Sequence, residues 1–167
     1  MKPKQLIKSE IAARKAHRVI CPALHPDTGV PYLVSTAYHV EGDGWSLGYH
    51  TGEDHACPVG SLAIATTWGT VVAAGPDTGY GSDYGTIVVI RKRDQKYDYM
   101  LCHLSKVLAD VGQAVKPGTI VGLTGFSGNV VPSGPDGAHL HFEARPAAGH
   151  FGSDVDPMFV KQAGFQG

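Results

Sequence analysis

The sequence predicts a mainly β protein, an antiparallel sheet or sandwich forming a single domain, with one short helix at its N-terminus. Three observations lead there. Twenty-two glycines and eleven prolines in 167 residues demand many turns and short elements. From residue 61 onward the apolar residues recur with a strand-like period in short β-branched and aromatic runs. Those runs are separated by Gly, Pro and Asp turns rather than by helical patterns, which excludes a βαβ architecture. A hydrophobic content of 43% against 17% charged residues places the chain among globular proteins, and its length suits one core.

The elements follow in order. Gln5 through Val19 read as an amphipathic helix, with Leu6, Ile7, Ile11, Ala12, Ala16 and Val19 on its apolar side. Its other side is basic, since residues 1–20 hold Lys2, Lys4, Lys8, Arg14, Lys15 and Arg18 against Glu10 alone. We read that side as a solvated face of a helix packed on the domain. His25 to Gly29 is a turn, Pro31 to His39 a strand, and Glu41 to Gly44 a tight turn. Further strands are expected at Leu62–Thr66, Thr70–Ala74, Thr86–Arg91, Tyr97–Leu104, Ile120–Thr124 and His139–Arg145, with a helical turn over Ser105–Val111. The preferred places of Trp68 and of the thiols Cys21, Cys57 and Cys102 are in the core. Strand alternation turns Cys102 away from its neighbour His103 and puts Leu101 and His103 on one face. Three cysteines without CxxC spacing suggest neither a disulfide framework nor a thiolate metal site.

Two fragments carry chemistry. His139-Leu140-His141-Phe142-Glu143 places two imidazoles two residues apart, on one face of a strand. His50-Thr51-Gly52-Glu53-Asp54 adds an imidazole and a carboxylate. Gly52, with Pro58 beyond, argues against a helix and for an irregular turn entering a strand. Alone that turn is an ordinary surface feature. Beside two histidines that need partners when buried, it becomes part of a candidate site in which two imidazoles and a carboxylate suit a catalytic zinc.

HxGxD, then His103-Leu104 ending a strand, then HLHFE, resembles the lysostaphin-like (LytM-domain) zinc endopeptidases of peptidoglycan. Gly69-Thr70-Val71, Tyr84 to Val88 and the glycine-spaced run from Gly112 to Gly125 fall in the same order, so the likeness covers residues 45–160. It makes 1–44 an N-terminal helix and extension and 161–167 a tail. The resemblance implies that His50, Asp54 and His141 hold Zn2+, while His103 and His139 are non-ligand histidines of the active site. It implies a zinc metalloendopeptidase that hydrolyses peptide cross-links of bacterial peptidoglycan. The alternative is a non-catalytic wall-binding or amidase-activating module, but such modules typically lose ligands and none is lost here. In zinc hydrolases of this kind the metal activates water and polarises the scissile carbonyl. One histidine transfers the proton and a second stabilises the oxyanion.

The chain departs from the family at Leu101, where a tyrosine is usual, and in the long loop Asn129–Ala138, where a short turn usually precedes HLH. That loop should border the cleft. Tyr80, Tyr84 and Tyr99 are candidate groove residues. Glu143 either orients an imidazole or makes a structural ion pair, and the two readings stand level. His55 is expected to be exposed or to support a ligand, and His17, His25, His39 and His150 to lie on the surface. No signal-peptide core or membrane-spanning apolar stretch is seen, so we expect synthesis in the cytosol and arrival at the wall by another route, such as phage release. A monomer is expected. There is no phosphate loop and no basic stripe with aromatics, which leaves no case for nucleic acid.

Overall fold

The computed structural model describes residues 21–76 and 78–158. The helix expected over 5–19, His17 and the tail lie outside those residues. Among the described residues ten strands form: β1 Ala23–Leu24, β2 Glu53–Ala56, β3 Leu62–Ile64, β4 Gly69–Gly75, β5 Ile87–Lys92, β6 Tyr97–Cys102, β7 Leu104–Val107, β8 Ala114–Val115, β9 Ile120–Thr124 and β10 His139–Pro146. They make two sheets, one ordered β1-β3-β9-β7 and the other β2-β10-β6-β5-β4-β8, with antiparallel pairings throughout. The architecture is the expected mainly β fold. Among the described residues no helix is long and apolar enough to cross a membrane.

Alternation builds the core. On β10, Leu140, Phe142 and Ala144 face inward with Val88, Ile90, Tyr99 and Leu101, and they meet Ala63, Val121 and Leu104 of the four-stranded sheet. Each large side chain buried this way contributes about 1.5–3 kcal/mol. The residues between them, His141, Glu143 and Arg145, therefore occupy the other face of the six-stranded sheet. Directly paired residues share a face, so the register His141↔Cys102 and His141↔Asp54 brings β6 and β2 into the same neighbourhood.

Several expectations are corrected. Ser105–Val111 is not a helical turn, because Leu104–Val107 pairs with β9, and tertiary pairing overrides the weak local preference. Pro31–His39 forms no strand; it makes isolated bridges Leu24↔Pro31 and Thr36↔Asp54. Trp68 is 52% exposed rather than core, standing just before β4. Tyr99 is 1% exposed and stacks on Phe142 within the core, so it lines no groove. Cys102 does not turn away from the site's face: it is fully buried on the same face as His141, with Tyr84, Ile87, Val89 and Met100. Leu101 and His103 do not share a face either. His103 has φ 60°, in the left-handed region uncommon for a non-glycine residue, and this breaks the alternation between β6 and β7.

Candidate metal centre

His50 and Asp54 owe their positions to the irregular segment before β2. The His50 amide donates to the Val40 carbonyl at 2.9 Å, and the Asp54 amide to the Thr36 carbonyl at 2.9 Å. Gly52 lets the turn pass against β10. A Cβ there would lie 2.5 Å from the Phe142 carbonyl oxygen and 2.9 Å from His141 Cε1 and Nε2. Gly52→Ala is therefore expected to displace the His141 ring, weakening metal retention and costing about 1–3 kcal/mol of stability through overpacking. Metal content measured beside the unfolding midpoint checks this; an alanine variant with full metal content would contradict it.

The donor atoms converge. His50 donates through Nδ1–H to the Ala37 carbonyl at 2.9 Å. The Nε2–H of His141 points at the Glu143 carboxylate at 3.2 Å. Both partners are pure acceptors, so these nitrogens hold the ring protons and fix the tautomers. The other nitrogens, His50 Nε2 and His141 Nδ1, meet 3.1 Å apart and lie 3.1 and 2.9 Å from the same oxygen, Asp54 Oδ1. His50 and His141 are buried, and Asp54 is partly covered. A tetrahedral zinc with ligand distances of about 2.0–2.2 Å has donor–donor edges of about 3.3–3.6 Å, close to these separations. Three electron-pair donors gathered around one point fit a cation. Burial opposes charge on His141, but its hydrogen bonds to Asp54 and Glu143 outweigh this and raise it to about 9. Burial works against the Asp54 carboxylate too, yet the adjacent His141 and His50 rings hold it well below the usual range. A cation at His141 Nδ1 would take the place of any proton there.

Behind His141 lies a buried network. Glu143 accepts from the Thr51 hydroxyl at 2.6 Å, the Tyr84 hydroxyl at 2.8 Å and Arg145 Nε, and Arg145 also donates to the Tyr84 oxygen at 3.0 Å. Burial disfavours its charge, but His141, Arg145 and Thr51 bring Glu143 down to about 2. Glu143 thus makes both contacts that the sequence left level, to an imidazole and to an arginine. Thr51, Tyr84 and Arg145 were not foreseen in this role. Alternation along β10 already placed Arg145 on the face of His141, and that was the available signal.

His103 and His139 stand beside the donors with their rings 4.6 Å apart. His103 donates through Nδ1–H to the Ser127 carbonyl at 2.8 Å and His139 through Nδ1–H to the Gly137 carbonyl at 2.7 Å. Each keeps Nε2 for the cleft, and that of His139 lies 3.6 Å from Asp54 Oδ1. Burial, reinforced by the His141 and His139 rings, brings His103 down to about 3, so it is neutral near pH 7. The cleft, of about 630 Å³, is lined by all five of these residues and by Trp45, Leu47, Tyr80, Tyr84, Val131 and Phe151. The long loop borders it through Asn129, Val130 and Val131.

The sequence pattern of peptidase family M23 matches residues 48–157, from just before the first donor to beyond the end of β10. The chain belongs to peptidase family M23. Peptidases of this family depend on zinc. The chain is 34% identical over 124 residues to ALE-1, a glycyl-glycine endopeptidase of Staphylococcus capitis, covering 73% of this chain and 32% of that protein. It is also 34% identical over 94 residues to the peptidoglycan DD-endopeptidase ShyA of Vibrio cholerae, covering 56% of this chain and 20% of the relative. The chain thus spans a third or less of these relatives' length. Among solved structures, the catalytic domain of lysostaphin from Staphylococcus simulans superposes with a TM-score of 0.68 at 26% identity, over 78% of this chain and 92% of that domain.

The other histidines of this M23 peptidase lie apart. His55 is not exposed: it is 2% accessible on the opposite face of β2, between the Tyr32 carbonyl at 2.7 Å and Glu53 at 3.0 Å. His39 and His150 are exposed and His25 is half-buried. Cys102 contributes no donor to the cluster of His50, Asp54 and His141. Cys102→Ser is expected to keep zinc and turnover, while a buried hydroxyl costs about 1–3 kcal/mol. Equilibrium unfolding read together with zinc content checks this; a folded serine variant without metal would make the thiol a ligand.

Proposed function

We propose that this chain is a zinc endopeptidase that hydrolyses peptide cross-links of bacterial peptidoglycan, with zinc held by His50 Nε2, His141 Nδ1 and Asp54 Oδ1. The observation that carries the reading is the meeting of those three electron pairs beside two further imidazoles. Membership of family M23, with wall-degrading relatives of both glycyl-glycine and DD specificity, supports the substrate class. Zinc bound there supplies Lewis acidity, polarising the scissile carbonyl and acidifying water.

The chain's own residues do the rest. The Ser127 and Gly137 carbonyls hold the Nδ1 protons of His103 and His139, which leaves each Nε2 to act toward the cleft. Neutral, such a nitrogen takes a proton from attacking water and passes it to the leaving amine; protonated, it donates to the developing oxyanion. The two rings divide these tasks. Glu143, anchored by Arg145, Tyr84 and Thr51, fixes the orientation of His141. The test is to incubate zinc-loaded protein with purified cell walls and identify new peptide amino termini by mass spectrometry, with a chelated control. A folded, zinc-loaded protein that releases no new termini would overturn the proposal.

A further inference from the structure

Three large apolar side chains that line the cleft stand in solvent: Leu47 is 39% exposed, Phe151 46% and Val131 88%. They come from three separate loops. Leu47 abuts the loop carrying Phe151, since a Cβ on Gly152 would lie 3.3 Å from Leu47 Cδ1. The Phe151 ring in turn stands 6.5 Å from that of Tyr84, which reaches Glu143. Val131 belongs to the long loop before β10, above the buried Val130. Trp45 completes the apolar lining by stacking on the ligand ring of His50 at 5.3 Å. Scattered exposed apolar residues are ordinary, but three gathered at the mouth of one cleft mark a surface that a ligand covers.

The charges at the cleft are as telling. Among the described residues that line it, Asp54 and Asp83 are the carboxylates, and there is no lysine or arginine. Arg145, on the same strand as His141, is buried and engaged by Glu143 and Tyr84. A direct link to diaminopimelate carries a carboxylate on the carbon next to the scissile nitrogen. Such a group would meet no ammonium or guanidinium among these side chains. A bridge of glycine alone would offer nothing for Leu47, Val131 and Phe151 to cover.

Resting on the peptidoglycan reading above, we propose that the cleft selects a neutral cross-bridge bearing small aliphatic side chains, of the alanine class. Glycine-only bridges and links flanked by a free carboxylate are disfavoured. One methyl group seated on an apolar surface is worth roughly 10–200-fold in kcat/KM.

The experiment compares initial cleavage of three purified walls by the zinc-loaded chain: alanine-bridged, glycine-bridged, and directly cross-linked through diaminopimelate. The expected result is a kcat/KM for the alanine-bridged wall at least about ten-fold above the other two. Leu47→Ser and Val131→Ser change exposed side chains and are expected to fold, and each should shrink the alanine-to-glycine ratio. Equal or faster cleavage of either other wall, or a ratio unchanged in both variants, overturns the inference while leaving the peptidase reading intact. Failure to cut any of the three by a folded, zinc-loaded protein overturns the peptidoglycan reading itself.

Discussion

His141→Ala and Asp54→Ala should each give a folded protein that retains no zinc and does not degrade cell wall. Each substitution removes one of three inward electron pairs, and the remaining two donors cannot close a stable zinc site. The fold should survive because the core faces of β10 and β2 are untouched: Leu140, Phe142 and Ala144 keep their contacts. In His141→Ala the Glu143 carboxylate loses one partner but keeps Arg145, Tyr84 and Thr51, so no unpaired buried charge is created. Elemental analysis, circular dichroism and wall turbidity read on the same preparations check the prediction. Zinc retained at full stoichiometry in either variant would remove that residue from the ligand set.

A different signature is expected from His103→Ala and His139→Ala. Both should stay folded and zinc-loaded, yet turn over wall peptides roughly 10²–10⁴-fold more slowly. The reason is geometric. Each ring is pinned through Nδ1–H to a backbone carbonyl and directs Nε2 into the cleft, outside the triad in which His50 and His141 share the Asp54 oxygen. Loss of such a group removes proton transfer or oxyanion support without removing a metal bond. The pairing of zinc stoichiometry with turnover separates the cases. Zinc loss in His139→Ala would recast that residue as a ligand, and undiminished turnover in His103→Ala would exclude it from the chemistry.

Much of this architecture could be read from the residues because extended strands alternate. His139–Arg145 and Ile120–Thr124 form strands where period and turn residues place them, and the two faces of β10 divide as the pattern requires. All five candidate residues fall around one cleft, His141 and Asp54 because they are paired across neighbouring strands. What escaped was non-local or non-extended. The register of β6 against β10 puts Cys102 rather than Leu101 on the face of His141, and the positive φ of His103 breaks the alternation that would have grouped it with Leu101. Ser105–Val107 becomes a strand only because β9 lies beside it. The segment 31–39 looks like a strand in composition, but it serves as an irregular brace whose Thr36 carbonyl fixes the Asp54 backbone. No local pattern reports a partner that arrives from elsewhere in the chain.

The buried Arg145–Glu143 pair has a corollary. A slip of β10 by one residue would drive both charges into the core and bring Phe142 out in place of His141, so misalignment is heavily penalised. The strand therefore carries its own alignment key and does not rely on the length of the preceding connection to set it. Insertions and deletions within residues 129–138 can then be accommodated, reshaping one wall of the cleft while His139 and His141 hold their places. Exchanging that single loop changes what the cleft accepts without disturbing the strand beside it.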